Sequence, residues 1–395
     1  MKKRMFDFNG LLFLTALFLG GCVSPEGSPL ATANAPDSKS ATLKSAFAGV
    51  MRIGVAVNQR QFSGANAAQA EIIAQQFDSI SPENALKWDA VQPRPGATGY
   101  NFTQADEYVD FGLRHGMFII GHNLCWHSQL PAWVSQPDPG QATLDKDTLL
   151  ARLHDHIQTV VGRYKGKING WDVVNEAIDD HGGLRQSVWY RICGPEYLVK
   201  AFQWAHEADP AAELYYNDYD LEKPAKRASA VQLIKYLQGQ GAPITGIGLQ
   251  SHYKLDSNSP SAQAIDDTIQ TFANLGLKVM ITELDVDMLP GRPGDDPNQQ
   301  QNAAGPNPYP DGLPDAQQQA LAQRLATVFA VYLKHRGVVT RVTFWGLSDG
   351  DSWLNSFPYR SRTNYPLLFD RENQPKPAYF TVLKLGWQQP RAELR

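Results

Sequence analysis

Cysteine is scarce in this chain. Three residues of 395 are cysteine, too few for a disulfide scaffold. No CxxC and no Cys/His cluster with metal-ligand spacing occurs, so zinc-ribbon and zinc-finger architectures are excluded. Long apolar runs are also missing. The longest near the start, Leu11 to Leu19, is too short to span a bilayer, which needs about 20 residues. No internal repeat is present, which excludes a solenoid. The net charge of −4 is spread among interspersed acids and bases. With no basic stripe, nucleic acid is not expected as a partner. After the first apolar run the chain reads Val55-Ala56-Val57. The His-x-His of a metal-dependent barrel hydrolase is absent there, and no metal site is expected.

The first residues look like a targeting segment. Lys2, Lys3 and Arg4 precede the short apolar run, which ends Leu19-Gly20-Gly21-Cys22. Small residues before a cysteine resemble a bacterial lipobox. Residues 1–22 are therefore expected to be a lipoprotein signal peptide, with Cys22 the lipidated first residue of an exported, membrane-anchored protein. The outer membrane, on its periplasmic or outer face, is the expected location. An ordinary signal peptide with an incidental Cys22 is the alternative. Residues 23–43, rich in Ser, Pro, Ala and Thr, predict a flexible tether. The other cysteines, Cys125 and Cys193, are open between a disulfide and small buried thiols, the latter favoured for Cys125.

What is abundant is the material of a large α/β core. Hydrophobic residues make up 43% of the chain and nine Trp are present. Over 44–388 short apolar runs alternate with longer amphipathic stretches, the pattern of a parallel α/β fold. Eight strands are expected: Arg52–Val57, Phe77–Ser81, Met117–Gly121, Ile168–Val174, Glu213–Asn217, Ile244–Gln250, Val279–Thr282 and Arg341–Gly346. Between them lie helical patterns, as in Leu149, Leu150, Leu153, Ile157, Val160 and Val161. Thr103 with Asp106 resembles a capping box. Gly116, Gly162, Gly241, Gly276 and Gly337 sit where helices should stop. Eight βα units in one domain predict a single (β/α)8 barrel, with an open sheet as the alternative on pattern alone. The segment 287–315, rich in Pro, Gly, Asn, Gln and Asp, predicts a long loop insertion after the seventh strand.

Polar residues gather at the C-terminal ends of these strands, where a barrel builds its active site. Two glutamates stand out: Glu176 in WDVVNEAID at 171–179 and Glu283 in ITELDV at 281–286. They end the fourth and seventh strands, so their carboxyls can converge across the mouth. Such a pair suits glycoside hydrolysis, in which one carboxyl protonates the leaving oxygen and the other stabilises or attacks the oxocarbenium-like centre. His252 and Asp285 are candidate supports of Glu283: the His can bond the carboxylate and the Asp can orient the His. Asn175 can hold a sugar hydroxyl. His154 and His156 are expected on a helix surface, Asp179 and Asp180 in a loop, and Asp349 and Asp351 in a turn or near substrate.

Several ordered motifs carry a family resemblance. SPENALKWD at 81–89, GHNLCWHSQLPAW at 121–133, WDVVNEA, YYNDYD at 215–220, Gln250 with His252, ITELDV, and Trp345 with Trp353 together make 44–388 similar to glycoside hydrolase family 10, the endo-β-1,4-xylanases. The resemblance implies a (β/α)8 barrel and retaining double displacement on β-1,4-xylosidic bonds in xylan and xylooligosaccharides. It gives Glu176 the acid/base role and Glu283 that of nucleophile, with carboxyls about 5–5.5 Å apart. It implies glycone contacts from Glu83, Asn84 and Lys87. His122, Trp126 and Gln129 would surround the −1 subsite, with Asn175 beside the acid/base. Tyr216 and Asn217 would face the acceptor side, Gln250 and His252 would act as the sixth-strand pair, and Trp345 and Trp353 would roof the −1 sugar. No cofactor is implied, and a monomer is expected. The alternatives are a related retaining β-glycanase and, in a different class, a surface glycan-binding lipoprotein without catalysis. The lipobox reading has its own check. A radiolabelled fatty acid fed to cells making the protein is expected to mark the chain, and Cys22→Ser should abolish the label; equal labelling of both would refute lipidation at Cys22.

Overall fold

A computed structural model of the chain describes residues 41–255, 259–292, 301 and 303–390. The signal-peptide and Cys22 readings, and all but the last residues of the tether, lie outside the described residues. Among the described residues nine strands occur in order: β1 (Arg52–Val57), β2 (Ser79–Pro82), β3 (Phe118–Cys125), β4 (Gly170–Asn175), β5 (Glu213–Asp218), β6 (Gly246–Leu249), β7 (His252–Lys254), β8 (Lys278–Asp287) and β9 (Val339–Phe344). All pairings between them are parallel, and β1 lies between β2 and β9. The β6–β8 pairing closes the ring. The short β7 continues the sixth barrel position after a break at Gln250-Ser251 and also pairs with β8. The result is a closed eight-position (β/α)8 barrel, as the alternation of apolar runs and helical patterns predicts.

Each expected strand is present, β1 with the expected ends and the others with one or both ends shifted. The largest difference is β8, which runs to Asp287 rather than stopping at Thr282. Polar residues there still pair in the ladder, which a hydrophobicity pattern cannot register. Inside the barrel Ile120, Tyr215 and Met280 pack together. The Arg341 side chain lies over the Phe118 and Tyr215 rings. Outside, the helices bury their apolar stripes on the strands: Leu149, Leu153, Ile157, Val160 and Val161 of the helix Lys146–Arg163 are fully covered.

Several local expectations are corrected. Thr103 and Asp106 do not form a capping box. Asn101 Oδ1 accepts from Thr103 N at 3.2 Å instead, and Asp106 is drawn to Arg163 and Tyr164. Gly162 lies inside its helix, whereas Gly116 and Gly276 close theirs with φ of 62° and 77°, a region that costs glycine little. His156 is not a surface residue. It is fully buried and stacked on Trp88 with ring centroids 3.7 Å apart, and burial pushes its pKa down to about 3. Cys125 and Cys193 are free and buried.

The loops after β8 and β9 are tied to each other. Asp349 is buried against Lys376 Nζ at 2.8 Å and accepts from Leu367 N. Asp351 accepts from Gln69 and Ser348. Both aspartates therefore shape the β9 loop that carries Trp353. The described part of 287–315 packs on that loop through Arg292 N to Tyr359 Oη, Tyr365 Oη to Tyr309 O, and Thr363 N to Asn307 Oδ1.

One glycine links the barrel to the site. A Cβ on Gly248 would stand 2.2 Å from Asn217 Oδ1, so only glycine on β6 leaves Asn217 its place in the barrel mouth. Gly248→Ala is expected to destabilise the fold by about 1–3 kcal/mol through overpacking and to displace Asn217. Gly239, with open space around it, is the control: Gly239→Ala should leave the melting temperature unchanged or raise it. Equal melting temperatures for both variants would contradict this account.

Candidate active site

Three strands that carry site residues have a register shift beside them. On β3 the shift falls between His122 and Cys125, on β4 between Asp172 and Val174, and on β8 between Ile281 and Leu284. A bulge of this kind breaks the strict in–out alternation and re-aims side chains. Its effect is plain on β8. Thr282 Oγ1 donates to Asn217 Oδ1 at 2.7 Å, and the next residue, Glu283, accepts from Asn217 Nδ2 at 2.8 Å. Consecutive side chains thus meet the same asparagine. At the end of β4, Glu176 adopts φ 56°, and Asn175 and Glu176 likewise turn toward one network.

Glu283 is 5% exposed. Oε1 accepts from Asn217 and Oε2 is 3.2 Å from His252 Nε2. Burial alone would push its pKa up. The His252 hydrogen bond, the fields of the His122 and His252 imidazoles, and the Asn217 hydrogen bond outweigh that and hold the carboxyl below the usual range. His252 lies opposite Asp285, with Nδ1 2.9 Å from Oδ1. Burial would lower the His252 pKa, but Asp285 and then Glu283 raise it to about 10. The imidazole is therefore charged at neutral pH, with both ring nitrogens donating. Trp353 Nε1 donates to the other Asp285 oxygen at 2.8 Å, which extends the chain of contacts to Trp353–Asp285–His252–Glu283.

Glu176 has different partners. Oε1 accepts from Gln250 Nε2 at 2.9 Å and Asn175 Nδ2 at 3.3 Å; Oε2 accepts from Trp126 Nε1 at 2.8 Å. All three donors are neutral, whereas Glu283 has an imidazolium. The two carboxyls are joined through amides: Asn217 Nδ2 reaches both Glu283 and Asn175 Oδ1.

A third group flanks the pair. Lys87 Nζ is held by Asn84 Oδ1 at 3.1 Å and Gln129 Oε1 at 2.7 Å, and lies over the Trp126 ring. Burial lowers its pKa, opposed by the negative fields of Glu283, Glu83 and Glu176. Burial raises the pKa of Glu83. His122 Nδ1 lies 2.9 Å from Asp172 Oδ2, and the His122 ring meets Trp345 edge-on. Trp353 tilts against His252. The rim thus offers flat rings, amides and one ammonium around two carboxyls, a surface suited to a sugar's hydroxyls and C–H faces.

Of the residues singled out in the sequence, the structure gathers Glu83, Asn84, Lys87, His122, Trp126, Gln129, Asn175, Asn217, Gln250, His252, Glu283, Asp285, Trp345 and Trp353 around Glu176. Two expectations change. Tyr216 is fully buried and donates to Asp218; strand alternation turns it to the helices, away from the cleft. Asn217 does not look outward to an acceptor. It is fully buried and braces Glu283. Sequence reading missed Asp172 and Thr282, though inward alternation along the fourth and seventh strands would have found both. It also missed Arg185, whose position in a loop after β4 gives no periodic signal.

Residues 42–385 match the family model described as Glycosyl hydrolase family 10. A β-1,4-xylanase from Dictyoglomus thermophilum is 42% identical over 87% of this chain and 90% of its own length. Endo-1,4-β-xylanase A from Xylanibacter ruminicola is 40% identical over 87% and 93%. A solved GH10 endoxylanase from a sugarcane soil metagenome has a TM-score of 0.82 and 44% identity, covering 88% of this chain and 99% of that one.

The electrostatics of Glu283 can be tested without substrate. Removing the His252 cation takes away the main group favouring the charged carboxyl, so the Glu283 pKa must rise. By carbon-13 NMR of labelled glutamates, the Glu283 carboxyl is expected to titrate at least about one unit higher in His252→Ala than in the parent protein. An unchanged or lower value would refute the role given to His252.

Proposed function

The chain belongs to glycosyl hydrolase family 10, and we propose that it hydrolyses β-1,4-xylosidic bonds of xylan and xylooligosaccharides as an endo-acting xylanase, with Glu283 as nucleophile and Glu176 as acid/base. The family works with retention of configuration, and the relatives from Dictyoglomus thermophilum and Xylanibacter ruminicola are named as xylanases. The single observation that carries the assignment of roles is the unequal bonding of the two carboxyls. Glu283 accepts from an imidazolium and an amide, which keeps it ionised; the Glu176 carboxyl accepts from the neutral donors Gln250, Asn175 and Trp126, which hold it in place.

In the first step a Glu283 oxygen bonds to the anomeric carbon. The bond from that carbon to the leaving sugar oxygen breaks, and Glu176 gives that oxygen its proton. His252 and Asn217 orient the attacking carboxylate, so little reorganisation is needed as its charge is consumed. In the second step water gives a proton to Glu176 and bonds to the same carbon, and the ester bond to Glu283 breaks. Two inversions restore the original configuration, and both side chains return to their starting states. Asn175 lies between the carboxyls, where it suits a hydroxyl of the sugar at the reacting centre. Lys87, Asn84, Gln129 and Glu83 suit the hydroxyls of the glycone, and Trp345 and Trp353 its ring faces.

We also propose that the enzyme acts as a monomer, exported and anchored at the membrane through a lipid on Cys22. The basic residues, short apolar run and Leu19-Gly20-Gly21-Cys22 support that reading. Among the described residues no helix is long and apolar enough to cross a membrane.

Azide separates the two roles. Both Glu176→Ala and Glu283→Ala are expected to lose at least about 100-fold in xylan turnover while keeping their circular dichroism. With an activated aryl xylobioside and azide, Glu283→Ala should yield the α-xylobiosyl azide, because the anion replaces the nucleophile in a single inversion. Glu176→Ala should yield the β-azide, because the anion attacks the glycosyl-enzyme. The opposite anomers would reverse the assignment.

A further inference from the structure

The backbone of Glu176 is held in a conformation that non-glycine residues seldom adopt. Its φ of 56° places it in the left-handed region, a strained conformation that persists in a non-glycine residue only where its neighbours enforce it. Two contacts do so. Glu176 N donates to Asn217 O at 2.9 Å, and Arg185 Nε donates to Glu176 O at 3.0 Å. Arg185 also reaches Ile178 O at 3.0 Å and Tyr219 Oη at 2.8 Å through Nη2. One planar guanidinium thus grips two carbonyls of the acid/base segment, a task its rigid fork suits and a lysine ammonium does not.

Arg185 is itself fixed from several sides. The chain folds back after Glu176 so that Ile178 and Leu184 form an antiparallel bridge, and Arg185 N donates to Ala177 O at 2.8 Å. Gly183 N at the tip donates to Ser229 Oγ. Tyr219, which accepts from Arg185, donates to Asp180. Lys226 Nζ sits 3.2 Å from the centre of the Tyr219 ring and 2.9 Å from Asp218, with Lys226 and Asp218 fully buried. An ammonium over a ring face in a desolvated place is a strong local restraint. Tyr219 therefore has little freedom, and it restrains the guanidinium in turn.

We infer that Arg185, locked by Tyr219, is a positioning residue for proton transfer by Glu176: it fixes the backbone that aims the carboxyl at the leaving oxygen. The inference rests on the acid/base role proposed for Glu176. Arg185 reaches the Glu176 backbone and no Glu283 atom, so it acts on proton donation and water activation and leaves nucleophilic attack intact.

The test compares two leaving groups. Xylohexaose needs a proton on its departing oxygen; a 2,4-dinitrophenyl β-xylobioside does not. For Arg185→Gln, kcat/KM on xylohexaose is expected to fall about tenfold or more, the scale of a misplaced catalytic group. On the aryl substrate it should stay within about twofold, since little acid catalysis is required. Azide should raise kcat on the aryl substrate, because water activation is impaired. Arg185→Lys should share the selective loss. Tyr219→Phe, which keeps the guanidinium but removes its phenol partner, should share it in smaller measure and serves if the arginine variants unfold. Equal losses on both substrates, or no loss on xylohexaose, would overturn the inference. Glu176→Ala run in parallel separates the two claims. A selective loss there with none in the Arg185 variants rejects the positioning role alone; no selectivity in Glu176→Ala rejects the acid/base assignment itself.

Discussion

The contact between His252 and Glu283 is the interaction on which the rest of the site depends. A carboxylate only 5% exposed is costly to keep charged unless it is paired and hydrogen-bonded. His252 meets that need as a cation 3.2 Å away, but the imidazole is itself mostly shielded from water and stays protonated because Asp285 at its other nitrogen, and then Glu283, favour the charged form. Asp285 in turn is held by Trp353. The aromatic rim and Glu283 are thus coupled by three hydrogen bonds, and the loop after β9 must be correctly folded for the carboxylate to be correctly charged. The buried Asp349–Lys376 pair, which ties that loop down, belongs to the same requirement.

The second constraint is geometric. Glu176 stands just past β4 and Glu283 within β8, each beside a register shift; Glu176 accepts from Asn175, Glu283 from Asn217, and the two amides bond each other. Gly248 makes this possible by leaving the barrel interior open beside Asn217. The amide bridge fixes the spacing of the two carboxyls, while their outer partners differ in charge. Similar groups in dissimilar surroundings can then take complementary parts in one reaction.

Much of this was legible in the sequence. Eight apolar runs separated by helical patterns mark a parallel α/β fold because parallel strands buried on both faces leave a strong signal; the choice of a barrel over an open sheet comes from the β6–β8 pairing. Glu176, Glu283, His252, Asp285, Trp345 and Trp353 were found because each stands at a strand end or in an ordered motif. The errors have separate physical causes. Tyr216 was placed in the cleft because its motif was read as a block, whereas neighbours on a strand face opposite ways. Asn217 was read as an outward contact because a sequence does not reveal how deep in the mouth a residue sits. His156 has the polarity of a surface residue, and its packing against Trp88 leaves no mark in the sequence. Arg185 left no trace because its partners are backbone carbonyls of a loop, which no periodicity encodes.

The central claim is that Glu283, held ionised by His252, forms the covalent bond to the sugar. A 2-deoxy-2-fluoro-xylobioside with a good leaving group slows both steps but lets the first proceed, so the glycosyl-enzyme accumulates. Incubation, proteolysis and mass spectrometry then locate the label. The account predicts one fluoroxylobiosyl group per chain, on Glu283. A label on Glu176, or inactivation with no label on either carboxyl, would contradict it.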